Sequence, residues 1–187
     1  FVNGWMQMES DCPNTDDPAL GHMVYWCPKD FPDSFIAEWN VRILQDHITI
    51  VFFAAKGENG EDIFDPSMPE RHGEFPKYIK DRITCYHISY QSGGGRGLTN
   101  LRKNNKFYLL DVGPAGIPPT SRDVHHIRLI KDAGHIQLQV DERPVIDCMD
   151  DHPERYGERH HDGKIGFRQM RGGVVQYRDL QVWSLQK

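Results

Sequence analysis

Apolar residues along the chain fall into short runs rich in β-branched and aromatic side chains. The runs are Met23–Cys27, Phe35–Leu44, Ile48–Ala55, Ile83–Tyr90, Lys106–Val112, Val124–Lys131, His135–Val140, Pro144–Cys148, Gly163–Met170 and Val174–Leu185. Their lengths predict strands rather than helices. Turn signals separate them, among them Phe31-Pro32-Asp33, Glu58-Asn59-Gly60, Gly93-Gly94-Gly95, Asp132-Ala133-Gly134 and Arg171-Gly172-Gly173. His126–Lys131 and Ile136–Val140 alternate apolar and polar positions. Successive side chains of a strand point to opposite faces, so each of these two strands has one face in a core and one in water. Asp132-Ala133-Gly134 joins them as a hairpin. No 3.6-residue apolar stripe is long enough for a helix, and ten short strands with frequent turns predict an all-β antiparallel sandwich or jelly roll. Lys56 to Asp81 is the least regular stretch, with Asp62, Asp65, Pro66, Pro69, His72 and Pro76. Long ordered loops of this kind are often functional. No repeat or linker divides the chain, so one domain over residues 1–187 is expected.

Composition narrows the function classes. A chain of 187 residues buries about 70% of the surface it exposes when unfolded and needs no staples. With 38% hydrophobic and 11% aromatic residues, it is no disordered chain. No apolar run approaches the ~20 residues of a membrane-spanning helix. Lys and Arg number 22 against 27 Asp and Glu, a net charge of −5, which argues against general nucleic-acid binding. Phe1 stands where an initiator methionine would, as in a trimmed chain. The expectation is a periplasmic or secreted location, with a cytoplasmic one as the alternative. Cys12, Cys27, Cys85 and Cys148 form no Cys-x-x-Cys pair; they permit two disulfides at most, or none.

Candidate chemistry centres on Cys85-Tyr86-His87-Ile88-Ser89-Tyr90-Gln91. On a strand, Tyr86 and Ile88 face the core while His87 and Ser89 face the other way. A histidine on an open sheet face can accept or donate a proton near neutrality. Tyr90 has the parity of the core residues and reaches His87 only if the strand ends or bulges there. Residues Gly93 to Asn104 read as a glycine-rich cationic loop in which Arg96, Asn100, Arg102 and Lys103 could hold a carboxylate or sulfate. Arg168, beside Gly166 on the non-core face of its strand, suits the same anion. Trp26 could line a groove. Glu58, Glu61, Asp62 and Asp65 lack EF-hand spacing, so a structural calcium ion is a minor expectation and no cofactor is expected. Gly-x-Ser-x-Gly, His-Glu-x-x-His and Glu-x-Asp-x-x-Glu are all missing from the sequence.

Tyr25-Trp26-Cys27-Pro28, Val51 to Pro66, Tyr86-His87-Ile88-Ser89-Tyr90, Thr99 to Asn104 and Lys164 to Met170 together resemble the YesU-like family, in order along nearly the whole chain. The resemblance implies a concanavalin A-like jelly roll of two antiparallel sheets and a role in the metabolism of uronic-acid polymers of the pectin or ulvan type, some relatives acting as dehydratases on ulvan oligosaccharides. Lys56, His87, Tyr90, Asn100, Arg102 and Arg168 lie within the matching motifs. The expected activity is β-elimination on a uronic-acid oligosaccharide, as a lyase or a dehydratase. In it His87 and Tyr90 move protons, and Arg96, Asn100, Arg102 and Arg168 hold the anion, with Lys56 and Trp26 lining the groove. The expected partner is an anionic oligosaccharide; a homodimer is compatible with this reading. Two alternatives stand beside it, a non-catalytic carbohydrate-binding module and a glycoside hydrolase using Glu38, Asp62 or Asp147.

Overall fold

The computed structural model describes residues 1–10, 21–45, 48–91 and 98–185. In chain order they form β1 (Met6–Glu9), β2 (Met23–Trp26), β3 (Ser34–Gln45), β4 (Thr49–Gly57), α1 (Pro76–Ile79), β5 (Ile83–Gln91), β6 (Leu98–Asn104), β7 (Tyr108–Pro114), β8 (Val124–Asp132), β9 (His135–Val140), β10 (Arg143–Met149), α2 (Pro153–Tyr156), β11 (Lys164–Gln169) and β12 (Val174–Ser184). Two six-stranded sheets result, β1-β12-β3-β8-β9-β10 and β2-β11-β4-β5-β6-β7. The expected all-β sandwich is therefore the fold. The hairpin expected at Asp132-Ala133-Gly134 joins β8 to β9, with Ala133 at φ +53°.

Alternation builds the core between the sheets. Phe35, Ala37, Trp39, Val41 and Ile43 of β3 point inward and meet Val51 and Phe53 of β4 and Tyr86, Ile88 and Tyr90 of β5. Full burial of such side chains stabilises the fold by about 1.5–3 kcal/mol each. β4 does not alternate: Thr49 to Ala55 are buried throughout. A strand buried on both faces needs a cover on each. Its second cover is the segment between β4 and β5, where Ile63, Met68, Tyr78 and Ile79 pack on Ile50, Phe52, Ala55 and Cys85 of the outer sheet face. We call this segment, residues 58–82, the strap. Gly73 seats it against β2's approach: at φ +99°, its Cα lies so near the His22 carbonyl that a Cβ would come within 2.0 Å of that oxygen.

One end of the sandwich is closed by charge. Lys103 and Asp150 form an ion pair at 2.7 Å with side chains only 2% and 1% exposed. The Tyr86 hydroxyl donates to Asp150 and accepts from the His160 backbone N–H. Lys103 also donates to the Gly157 carbonyl, so the buried charges are fully engaged.

Candidate functional site

The outer face of the second sheet carries one row of paired positions across five strands. Trp26 pairs with Gly166, Gly166 with Phe52, Phe52 with His87 and His87 with Arg102. The adjacent row runs Val24, Arg168, Ile50, Ser89, Asn100. Strand pairing thus gathers Trp26, His87, Asn100, Arg102 and Arg168 on one face, as parity read from the sequence implied for His87 and Arg168. Gly166 is glycine because the Trp26 ring lies on it; a Cβ there would come within 2.4 Å of the indole.

This face is not the open groove that the sequence suggests. Phe75 and Tyr78 of the strap and Phe107 from the β6–β7 turn roof it. His87 has Phe52 at 5.6 Å, Phe75 at 6.1 Å and Phe107 at 5.6 Å between ring centres. Tyr78 stacks on the other side of Phe52 at 5.9 Å. The result is a cage with a floor of Trp26, Phe52 and His87. His87 is 2% and Arg168 0% exposed.

Two cations, Arg168 and Arg102, lie against the rings of the cage. Arg168 Nη2 donates to the Gly73 carbonyl at 2.8 Å and to His22 Nδ1 at 3.0 Å, and its guanidinium lies 4.9 Å from the Phe75 ring and 5.2 Å from that of Tyr78. Its Nη1 is buried with no hydrogen-bond partner. Arg102 donates to the Phe107 carbonyl at 3.1 Å and lies 4.0 Å over the Phe107 ring. Neither guanidinium enters an ion pair among the described residues. Burial pulls Arg168 down to about 10 and lowers Arg102 as well. Burial first, then the charges of Arg102 and Arg168, hold His87 down to about 3, so its ring is neutral. Burial raises the Tyr78 phenol, with the Arg168 charge opposing. A buried guanidinium without a counterion is costly unless something anionic completes it. Guanidinium N–H groups also match carboxylate and sulfate oxygens in geometry.

Three expectations change. Tyr90 is not at the site: β5 does bulge there, since Thr49 pairs with Gln91 and Ile50 with Ser89, but the ring stays in the inter-sheet core, 6.1 Å from Trp39. Lys56 does not line the groove freely, because its ammonium pairs with Asp162 at 2.7 Å and that hydrogen bond raises its pKa. The stretch 98–104, read as loop, is the strand β6, which is why Asn100 and Arg102 reach the face at all. Arg96 lies outside the described residues. The strap carboxylates are engaged too: Asp62 with Lys164 at 2.8 Å, Glu61 with Arg82 at 2.6 Å. Among the described residues no three His, Cys, Asp or Glu side chains converge as a metal-ligand set. Sequence reasoning missed Phe75, Tyr78, Asn104 and Phe107. The irregular, aromatic-bearing 56–81 stretch was the signal for the first two.

Glu38, Asp62 and Asp147 do not share a site. Glu38 is on β3, facing Arg128 and His126; Asp147 is on β10 with His135; Asp62 is on the strap over the other sheet. Cys27, Cys85 and Cys148 are free thiols.

Residues 1–182 match the family described as Domain of unknown function DUF1961. The uncharacterized protein YesU of Bacillus subtilis (strain 168) is 38% identical over 169 residues, 86% of this chain and 76% of that one. The crystal structure of a protein of unknown function with a galectin-like fold from Bacillus subtilis superposes with a TM-score of 0.84 at 33% identity, over 98% of this chain and 90% of that one. More distant solved structures share the fold. The carbohydrate-binding module CBM66 from Bacillus subtilis has a TM-score of 0.58 at 12% identity, over 97% and 96% of the two chains. An alginate lyase solved with dimannuronate has 0.55 at 9%, over 98% and 74%.

Proposed function

From the premise that this chain belongs to the DUF1961, YesU-like family, we propose that it takes an anionic, uronate-bearing oligosaccharide into the caged face of its second sheet and eliminates across C4 and C5 of the uronate. The observation that carries this reading is the Arg168 guanidinium, fully buried, with Nη1 unpartnered. A uronate carboxylate supplies the missing counterion. Trp26 gives the sugar ring an apolar platform, and Asn100 a polar edge.

The chemistry follows from the substrate. The C5 proton lies alpha to the carboxylate, and its removal places negative charge on that carboxylate. Preorganised cations there stabilise the charge as it develops. The C5 proton passes to a protein group, the C4–O bond breaks, and the departing oxygen gains a proton. If C4 carries a sugar the products are two shorter chains; if it carries a free hydroxyl the product is water and an intact, unsaturated chain. His87 and Tyr78, which flank Phe52, are the groups of the cage able to take part in proton traffic; Tyr78 fills the place first given to Tyr90.

Incubation with oligogalacturonates and ulvan oligosaccharides tests this, following the ultraviolet absorbance of the conjugated double bond and the product masses. Unsaturated products are expected, and Arg168→Met is expected to weaken oligosaccharide binding roughly tenfold to a hundredfold while leaving the circular dichroism intact. Neither binding nor unsaturation on any uronate would sink the proposal. Binding without unsaturation would favour a carbohydrate-binding module, the second reading that the burial of Tyr90 and the weak basicity of His87 support.

A further inference from the structure

The strap reaches His87 through two side chains. Cys85 and His87 lie two residues apart on the same face of β5. Burial pushes the Cys85 thiol up to about 12, so it stays protonated, and it donates to the Tyr78 carbonyl at 3.9 Å. With its hydrogen aimed at the strap, Sγ presents lone pairs to Asn104, whose Nδ2 donates to it at 3.2 Å. The same Nδ2 lies 3.0 Å from His87 Nδ1. The group that donates to the sulfur is an NH2, so it donates to the ring as well, and Nδ1 accepts. A neutral imidazole has one donor and one acceptor nitrogen. Its acceptor is taken by Asn104, and the hydrogen sits on Nε2, which has no hydrogen-bond partner among the described residues. Asn104 is anchored in turn, its backbone carbonyl accepting from His160 Nε2 at 2.5 Å.

We infer that Asn104 is a positioning residue that fixes His87 as the Nε2–H tautomer, so that His87 serves as a donor to a bound anion rather than as the proton acceptor. The use of that donor rests on the uronate reading above. The tautomer itself rests on geometry alone. An orienting partner on the far ring nitrogen commonly decides what the near one offers.

The test is long-range proton–nitrogen correlation spectroscopy on the whole protein with 15N-labelled histidine, the His87 signals identified by their loss in His87→Gln. Nδ1 bare and Nε2 protonated is the expected result. In Asn104→Asp the carboxylate can only accept, so the hydrogen moves to Nδ1 and affinity for a galacturonate trisaccharide falls at least about tenfold. A protonated Nδ1 in the unaltered protein overturns the inference, whether or not the variant folds. So does a folded Asn104→Asp protein that keeps the Nε2–H form, or one that reverses it with affinity unchanged. An Nε2–H ring in a protein that binds no uronate supports the positioning role and refutes the uronate reading instead.

Discussion

His87 and His160 are kept uncharged by the same cause, loss of water around the ring. Unfolded, each takes a proton near 6.5; folded, His160 resists until about 4 and His87 until about 3. Between those values the unfolded chain holds more protons than the folded one, so stability falls as pH drops below about 6.5 and goes on falling to about 4 for His160 and about 3 for His87. Each ring contributes a slope of roughly 1 kcal/mol per pH unit. Urea midpoints measured between about pH 7 and about pH 4 should show this loss, and His160→Gln should remove about half of it. At this scale the sequence was legible where parity decided the matter. His87 and Arg168 were assigned the correct face because side chains alternate on a strand. Tyr90 had the parity of the core and stayed in it, a bulge notwithstanding. Lys56 and Asn104 were not legible, because their partners Asp162 and His160 are distant in sequence and meet them only through the sandwich.

At the scale of elements, the strap is what the sequence could locate but not place. Its prolines, glycines and acids marked it as irregular. Its apolar residues, spaced without period, gave no sign that Ile63, Met68, Phe75 and Tyr78 would lie on a sheet face. β4 held the complementary clue, since a run of seven buried residues requires two covers. β6 was hidden for another reason: after four glycines its mixture of charged and polar side chains looks like solvated loop, although Leu101 and Lys103 face inward and Arg102 and Asn104 outward. Beside the strap's apolar side chains, Gly73 permits the close approach of this segment to the His22 carbonyl. Gly73→Ala combines an unfavourable positive φ with a clash against the His22 carbonyl, and should destabilise the protein by about 1–3 kcal/mol. Hydrogen exchange should show lost protection across the strap while the β8–β9 hairpin is unchanged. Equal loss in both would mean that the strap is no separate unit.

The whole molecule is a sandwich with an apolar middle and a charged end, and the two differ in how they respond to substitution. Asp150→Ala leaves Lys103 buried and unpaired and should cost about 3–5 kcal/mol. Arg128→Ala, which removes a half-exposed pair with Glu38, should cost no more than about 1 kcal/mol. Thermal or urea unfolding of the two variants separates these predictions. The net charge of −5 conceals this division. Many acids pair with nearby cations, while Arg102 and Arg168 enter no ion pair among the described residues and lie against aromatic rings. An anionic ligand therefore meets a repulsive average charge and a few locally attractive positions, which favours recognition by fit over adsorption.

Cys85 lies beneath the same roof, fully buried, with its thiol turned toward the Tyr78 carbonyl, whereas Cys27 and Cys148 are partly exposed. No reagent can touch its sulfur until the cover over it lifts. The thiol is thus a built-in clock: the rate at which an alkylating agent consumes it counts how often the strap departs, and a ligand that locks the cage should slow the count.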